Sequence, residues 1–111
     1  MKSTIDKINK FRDDRDWRKF HNEKDLAISI LLEASELLEL FQWKQSEEVT
    51  TNSLERIKEE LADVLIYSMM LADNLQLDIE QIIEEKLEKN KAKYPVKLSK
   101  GNNKKYTELE K

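Results

Sequence analysis

Two pairs of carboxylates, Glu33 with Glu36 and Glu60 with Asp63, carry most of the chemistry this chain's residue types permit. Each pair is spaced i, i+3, so on a helix both acids project from one side. Glu33 sits in the run ILLEASELLELF, and at about 100° per residue it falls between Leu37 and Leu40, inside the arc that faces a core. Asp63 is the only charge among the twelve residues LADVLIYSMMLA. A lone buried carboxylate costs several kcal/mol and would protonate or be selected away. Four converging carboxylates make sense when a hard, oxygen-seeking cation neutralises them: Mg²⁺, with Mn²⁺ as the alternative. Spacing by itself is weak support, because 23 of the 111 residues are acidic, and Asp13/Asp16, Glu36/Glu39 and Glu85/Glu88 repeat it as solvated pairs. The apolar flanks single out the two pairs named first.

Other side chains stand in register with these acids. Tyr67 lies one turn beyond Asp63 on the same stripe, and Met70 follows it. Lys86 and Asn90 are i, i+4, so a helix would present an ammonium and an amide together. With a metal on a facing helix they form a cradle for a phosphate chain; the plain alternative is an ordinary exposed helical face. Trp17 and Trp43 fall outside the apolar stripes, on either side of the second expected helix, where an indole can stack on a nucleobase or plug a bundle end. His21, the sole histidine, reads as a structural or polar contact, since no serine stands in a strained nucleophile turn.

The positioning elements read as helices throughout. With one Gly, one Pro and heavy use of Leu, Ile, Glu and Lys, the expected fold class is all-α, a four-helix bundle. The first helix is expected from Ser3 or Thr4 to about Asp16, with Ile5, Ile8 and Phe11 as its stripe. The second opens at the N-cap Asn22 and runs to about Gln42. The stretch WKQSEEVTTNS reads as a loop, and Asn52 with Glu55 as a capping box opening a third helix to about Leu75. Asp78 with Gln81 opens a fourth to about Ala92, ended by Tyr94-Pro95. Residues 1–96 then form one domain and 97–111 a polar tail, basic at its centre. The third helix is apolar nearly all round, from Leu54 to Leu75, which calls for a partner subunit to cover what a small domain leaves open.

Composition narrows the function classes. No cysteine is present, which removes disulfides, thiolate metal sites and a Cys nucleophile. A net charge of −3 with both signs interspersed argues against a nucleic-acid surface. No apolar run suits a signal peptide or a membrane span, so a soluble, cytoplasmic protein is expected. A di-iron oxidase would want Glu-x-x-His on two helices, and His21 belongs to no such motif. A non-catalytic helical interaction module remains as the rival class.

In ordered combination, these residues give the chain a resemblance to the MazG-like nucleotide pyrophosphohydrolases of the all-α NTP pyrophosphohydrolase superfamily, nearest the dCTP pyrophosphatase branch. The likeness rests on Glu33-Ala34-Ser35-Glu36 and Glu60-Leu61-Ala62-Asp63. It extends to Arg15-Asp16-Trp17, Phe41-Gln42-Trp43, the run from Asp63 to Tyr67, Tyr94-Pro95 and the terminal Lys105-Tyr106-Thr107-Glu108-Leu109. It implies Mg²⁺ held by Glu33, Glu36, Glu60 and Asp63, which are then the catalytic set. It also implies a base enclosed by Trp17 and Trp43 near Tyr67, and a triphosphate toward Lys86, Asn90 and Tyr94. A homodimer or homotetramer with sites near subunit contacts follows too. Ile8 stands where some members of the branch carry a histidine that approaches the base. The expected activity is Mg²⁺-dependent conversion of a dNTP, dCTP or a base-modified dCTP first, to the monophosphate and pyrophosphate. A broader or different dNTP range is the nearest alternative.

Overall fold

The computed structural model describes residues 1–109, and among them every regular element is helical. The chain divides into two compact units, Met1–Leu77 and Asp78–Lys111. The first holds α1 (Lys2–Asp14), α2 (Glu23–Glu39), α3 (Ser46–Asn52) and α4 (Leu54–Asn74), with a 3-10 turn at Arg18–Phe20. The second holds α5 (Ile79–Lys93), α6 (Val96–Ser99) and a 3-10 turn at Tyr106–Glu108.

Helix α4 is the hub of the first unit, with α1, α2 and α3 all packed on it, α2 most extensively. Leu26 near the start of α2 is fully buried, an anchor worth about 1.5–3 kcal/mol in transfer terms. The expected N-caps at Asn22 and Asp78 form, although the Gln81 side chain turns to Glu85 at 2.9 Å instead of completing a capping box. Asn22 Oδ1 accepts from the Asp25 amide at 2.8 Å, and Asp78 Oδ1 accepts from the Gln81 amide at 2.9 Å.

Two local expectations are corrected. The stretch read as a loop contains α3, whose only apolar side chain, Val49, is 1% exposed. With three β-branched residues in seven, α3 has little intrinsic propensity, so burial of Val49 rather than sequence pattern holds it. The Asn52–Glu55 capping box does not form either. Asn52 ends α3, and Ser53 opens α4 with no side-chain cap bond.

Helices α1 and α4 both end in Schellman motifs, without glycine. Asp16 (φ 52) follows α1, with Trp17 N donating to Arg12 O at 2.9 Å and Asp16 N to Asp13 O at 3.1 Å. Gln76 (φ 56) follows α4, with Leu77 N donating to Ala72 O at 2.9 Å and Gln76 N to Asp73 O at 3.0 Å. The left-handed residue turns the chain while its neighbours satisfy the helix's last carbonyls.

The first unit does not close its own core. Leu31, Leu32 and Leu38 on α2, and Leu54, Leu61 and Leu65 on α4, all remain exposed. Burial of α4 on all sides, expected from its apolar circumference, is therefore incomplete within the first unit.

Candidate functional site

Helix α2 presents Glu33 and Glu36, and α4 presents Glu60, where the two helices pack. One carboxylate oxygen from each of the three lies within 4.8 Å of the others. Crowding like charges beside an apolar face has a clear electrostatic result. The Glu33 carboxyl is pushed up to about 7, first by burial, then by its hydrogen bond to Glu36 and the charges of Glu36, Asp63 and Glu60. Glu60 is raised for the same reasons, loss of hydration foremost, with Arg56 acting in the opposite sense. Glu33 Oε2 and Glu60 Oε2 are both inaccessible and accept no hydrogen bond.

Asp63 stays outside the group of three, although its charge reaches Glu33 and Glu60. It stands instead on the wall of an open groove of about 590 Å³, together with Trp17, Tyr67, Ile8, Phe11 and Met70. The Tyr67 phenol is raised by burial and by Glu33, Asp63 and Glu36, so it remains a neutral hydrogen-bond donor. Glu36 and Glu60 line a separate polar cleft of about 330 Å³ with Glu39 and Arg56.

The predicted binding residues divide. Trp17 lies against Phe11 edge to face at 5.6 Å, and Arg15 stacks on Phe11 at 3.9 Å. Trp43 follows α2 in the left-handed region (φ 64), is 95% exposed and does not line the groove. Lys86 and Asn90 fall at i, i+4 on α5, and Tyr94 is its C-cap, all in the second unit. There the Tyr94 ring packs edge to face with Tyr106 at 6.2 Å. His21, read from sequence as a structural or polar contact, hydrogen-bonds among the described residues only through its backbone, its ring Nδ1 being buried without a partner. Its carbonyl accepts from Asn74 Nδ2 at 2.7 Å, while its ring faces Trp17 at 6.5 Å and also lines the groove. Burial, helped by Arg12, lowers the imidazole pKa and keeps it neutral.

Sequence reasoning missed Arg12, the largest fully buried side chain of the unit. Its position was readable, because Arg12 stands at i+4 from Ile8 and i+7 from Ile5, on the apolar stripe of α1.

An all-oxygen donor set with uncompensated negative charge and two orphaned buried oxygens suits a hard divalent cation. Acids converging from packed helices stand on an all-helical scaffold whose class is the MazG-like family, the model of which matches residues 28–109. The chain belongs to that family.

Among individual relatives, it is 39% identical to dCTP pyrophosphatase 1 of Bos taurus over 104 residues, covering 89% of this chain and 62% of that protein. It is 41% identical to dCTP pyrophosphatase 1 of Mus musculus over 104 residues, covering 89% and 61%. The chain therefore spans under two thirds of the length of these curated relatives. A crystal structure of a pyrophosphatase from Archaeoglobus fulgidus DSM 4304 superposes with a TM-score of 0.83 at 42% identity, covering 86% of this chain and 92% of that one.

Proposed function

We propose that the protein is a Mg²⁺-dependent nucleotide pyrophosphohydrolase that converts a dNTP, dCTP or a base-modified dCTP first, to dNMP and pyrophosphate in the cytoplasm. The observation that carries this reading is the convergence of Glu33, Glu36 and Glu60 within 4.8 Å, with Asp63 on the adjoining groove wall. The names of the relatives, all dCTP pyrophosphatases, supply the substrate class.

In this reading Glu33, Glu36, Glu60 and Asp63 hold the divalent ion, Mg²⁺ or Mn²⁺. When bound, such an ion neutralises phosphate oxygens and lowers the pKa of water. The protein's side chains do the rest. A carboxylate of the set takes the proton of the attacking water. Trp17 offers its ring to the base, with the Tyr67 hydroxyl as a donor nearby. Lys86, Asn90 and Tyr94 attract and orient the triphosphate, and Trp43 encloses the base. Ile8 on the groove wall offers the base a methyl surface and no hydrogen bond.

The exposed leucines of α2 and α4 support a homodimer or homotetramer, because such a surface is too apolar to leave in water. Every residue invoked here lies within residues 1–96, and the polar segment 97–111 supplies none of them. The decisive experiment is pyrophosphate release from a panel of canonical and modified dNTPs, with Mg²⁺ and with EDTA. Metal-dependent release is the expected result, lost in Glu33→Gln and Asp63→Asn. Undiminished release in EDTA, or in both variants, would overturn the proposal.

A further inference from the structure

The Arg12 side chain is completely buried, yet only part of its hydrogen-bonding capacity serves helix α1 itself. One terminal nitrogen donates to Asn9 Oδ1 at 2.7 Å and to Asp73 Oδ2 at 3.3 Å; the other donates to Asn74 Oδ1 at 3.2 Å. Asn74 then passes the contact on, its Nδ2 donating to the carbonyl of His21 at 2.7 Å. The backbone of Arg12 holds the opposite end of the same connector, since its carbonyl accepts from Trp17 N at 2.9 Å. Between these points, Arg18 Nε donates to Asp13 Oδ1 at 2.6 Å, and an Arg18 terminal nitrogen lies 3.7 Å from Asp73. The segment from Trp17 to His21 is therefore tied to the C-terminal ends of α1 and α4 at both of its ends. Both of its terminal rings line the apolar groove.

Burying a guanidinium is an expensive way to fill a core position, because desolvation offsets much of the ion-pair energy, and an apolar side chain of similar volume serves packing as well or better. Arg12 also leaves its Nε without a partner. What the planar fork supplies, and a leucine or methionine cannot, is simultaneous contact with two helix ends in a fixed geometry. We propose that Arg12 is a positioning residue, acting through Asn74 and the His21 carbonyl to set the place of Trp17 and His21 on the groove wall, and so the recognition of the nucleobase. The inference rests on the groove being the base site of the proposed pyrophosphohydrolase. The tether itself can be read without substrate.

Asn74→Asp is the sharpest test. It keeps an acceptor for Arg12 and the side-chain volume, but replaces the donor to the His21 carbonyl by a carboxylate oxygen. Expected are a KM for the nucleotide raised about tenfold, equivalent to about 1.4 kcal/mol, and a kcat within about twofold of wild type, as a loss of binding without loss of chemistry requires. The Mg²⁺-induced rise in melting temperature should not change. The near-UV circular dichroism of Trp17, read in a Trp43→Phe background without nucleotide, should lose intensity. Arg12→Lys, which keeps the charge but not the fork, should give the same signature and guards against a folding defect in the first variant. Wild-type KM and wild-type Trp17 dichroism in either folded variant would overturn the proposal. So would a fall in kcat and metal response without a rise in KM, or a changed Trp17 signal with KM unmoved. If the wild type hydrolyses no nucleotide, the functional reading fails by itself, and the dichroism still decides whether the tether orders the connector.

Discussion

Glu33→Gln should stabilise the metal-free protein at pH 8 and do almost nothing at pH 4. Folding raises the Glu33 carboxyl from 4.5 to about 7. An acid whose folded pKa lies above its unfolded value binds more protons when folded. Its stability contribution is complete below about 4.5 and is lost as pH rises through about 7. At 1.36 kcal/mol per unit, the full shift corresponds to roughly 3 kcal/mol. Glu33 is only part-buried, and solvent screening brings the figure to about 1–2 kcal/mol. Glutamine keeps the shape and discards the charge, so at pH 8 in EDTA its melting temperature should exceed wild type by roughly 5 °C or more. At pH 4, where Glu33 is largely protonated in the folded and the unfolded protein alike, the two proteins should melt together. Saturating Mg²⁺ should reverse the order at pH 8, since binding at 100 times the dissociation constant adds about 2.7 kcal/mol to the wild type alone. Differential scanning calorimetry at the two pH values, with EDTA and with Mg²⁺, reads all four conditions. A variant that melts below wild type by the same margin at both pH values would refute the reasoning, because Glu33 would then be a structural hydrogen-bonding group and not a repelled charge.

Light scattering at low micromolar concentration should report at least twice the 13.2 kDa chain mass, and a monodisperse active monomer would show that the exposed leucines need no partner. Trp17→Ala and Trp43→Ala should each weaken binding of a non-hydrolysable nucleotide by roughly ten- to a hundredfold, following about 1–3 kcal/mol per stacked base. Titration by tryptophan fluorescence checks this, and wild-type affinity in both variants would make the indoles structural plugs. Leu26→Ala, at a fully buried position of α2, should cost about 2–5 kcal/mol in urea unfolding; a loss below 1 kcal/mol would mean the site collapses around the smaller side chain.

The helices that carry the acids were legible because period, caps and apolar setting agree. Asn22 and Asp78 mark helix starts in the sequence and accept the expected amides in the structure. Glu33 and Asp63 looked anomalous within apolar runs; the structure brings Glu33 together with Glu36 and Glu60 and leaves Asp63 on the groove wall. What escaped notice depends on tertiary contact. Helix α3 is held by one buried valine, a signal too short for any periodicity. Arg12 stands on an apolar stripe, but its partners Asp73 and Asn74 lie more than sixty positions away, at the far end of α4. No local pattern in the sequence connects them. The indoles were read as a pair, whereas within one chain only Trp17 meets the groove.

The glycine-free ends of α1 and α4 have a consequence for precision. A left-handed residue with a Cβ occupies a small basin and carries about 1–2 kcal/mol of strain, while glycine there is nearly free of strain and samples a far wider range of angles. Asp16 and Gln76 therefore aim the chain leaving each helix within a narrow cone, and Trp17 is the first residue out of one of them. Asp16→Gly would relieve the strain and loosen the aim in the same step. Stability and directional accuracy are set against each other at this turn, and the native residue favours accuracy.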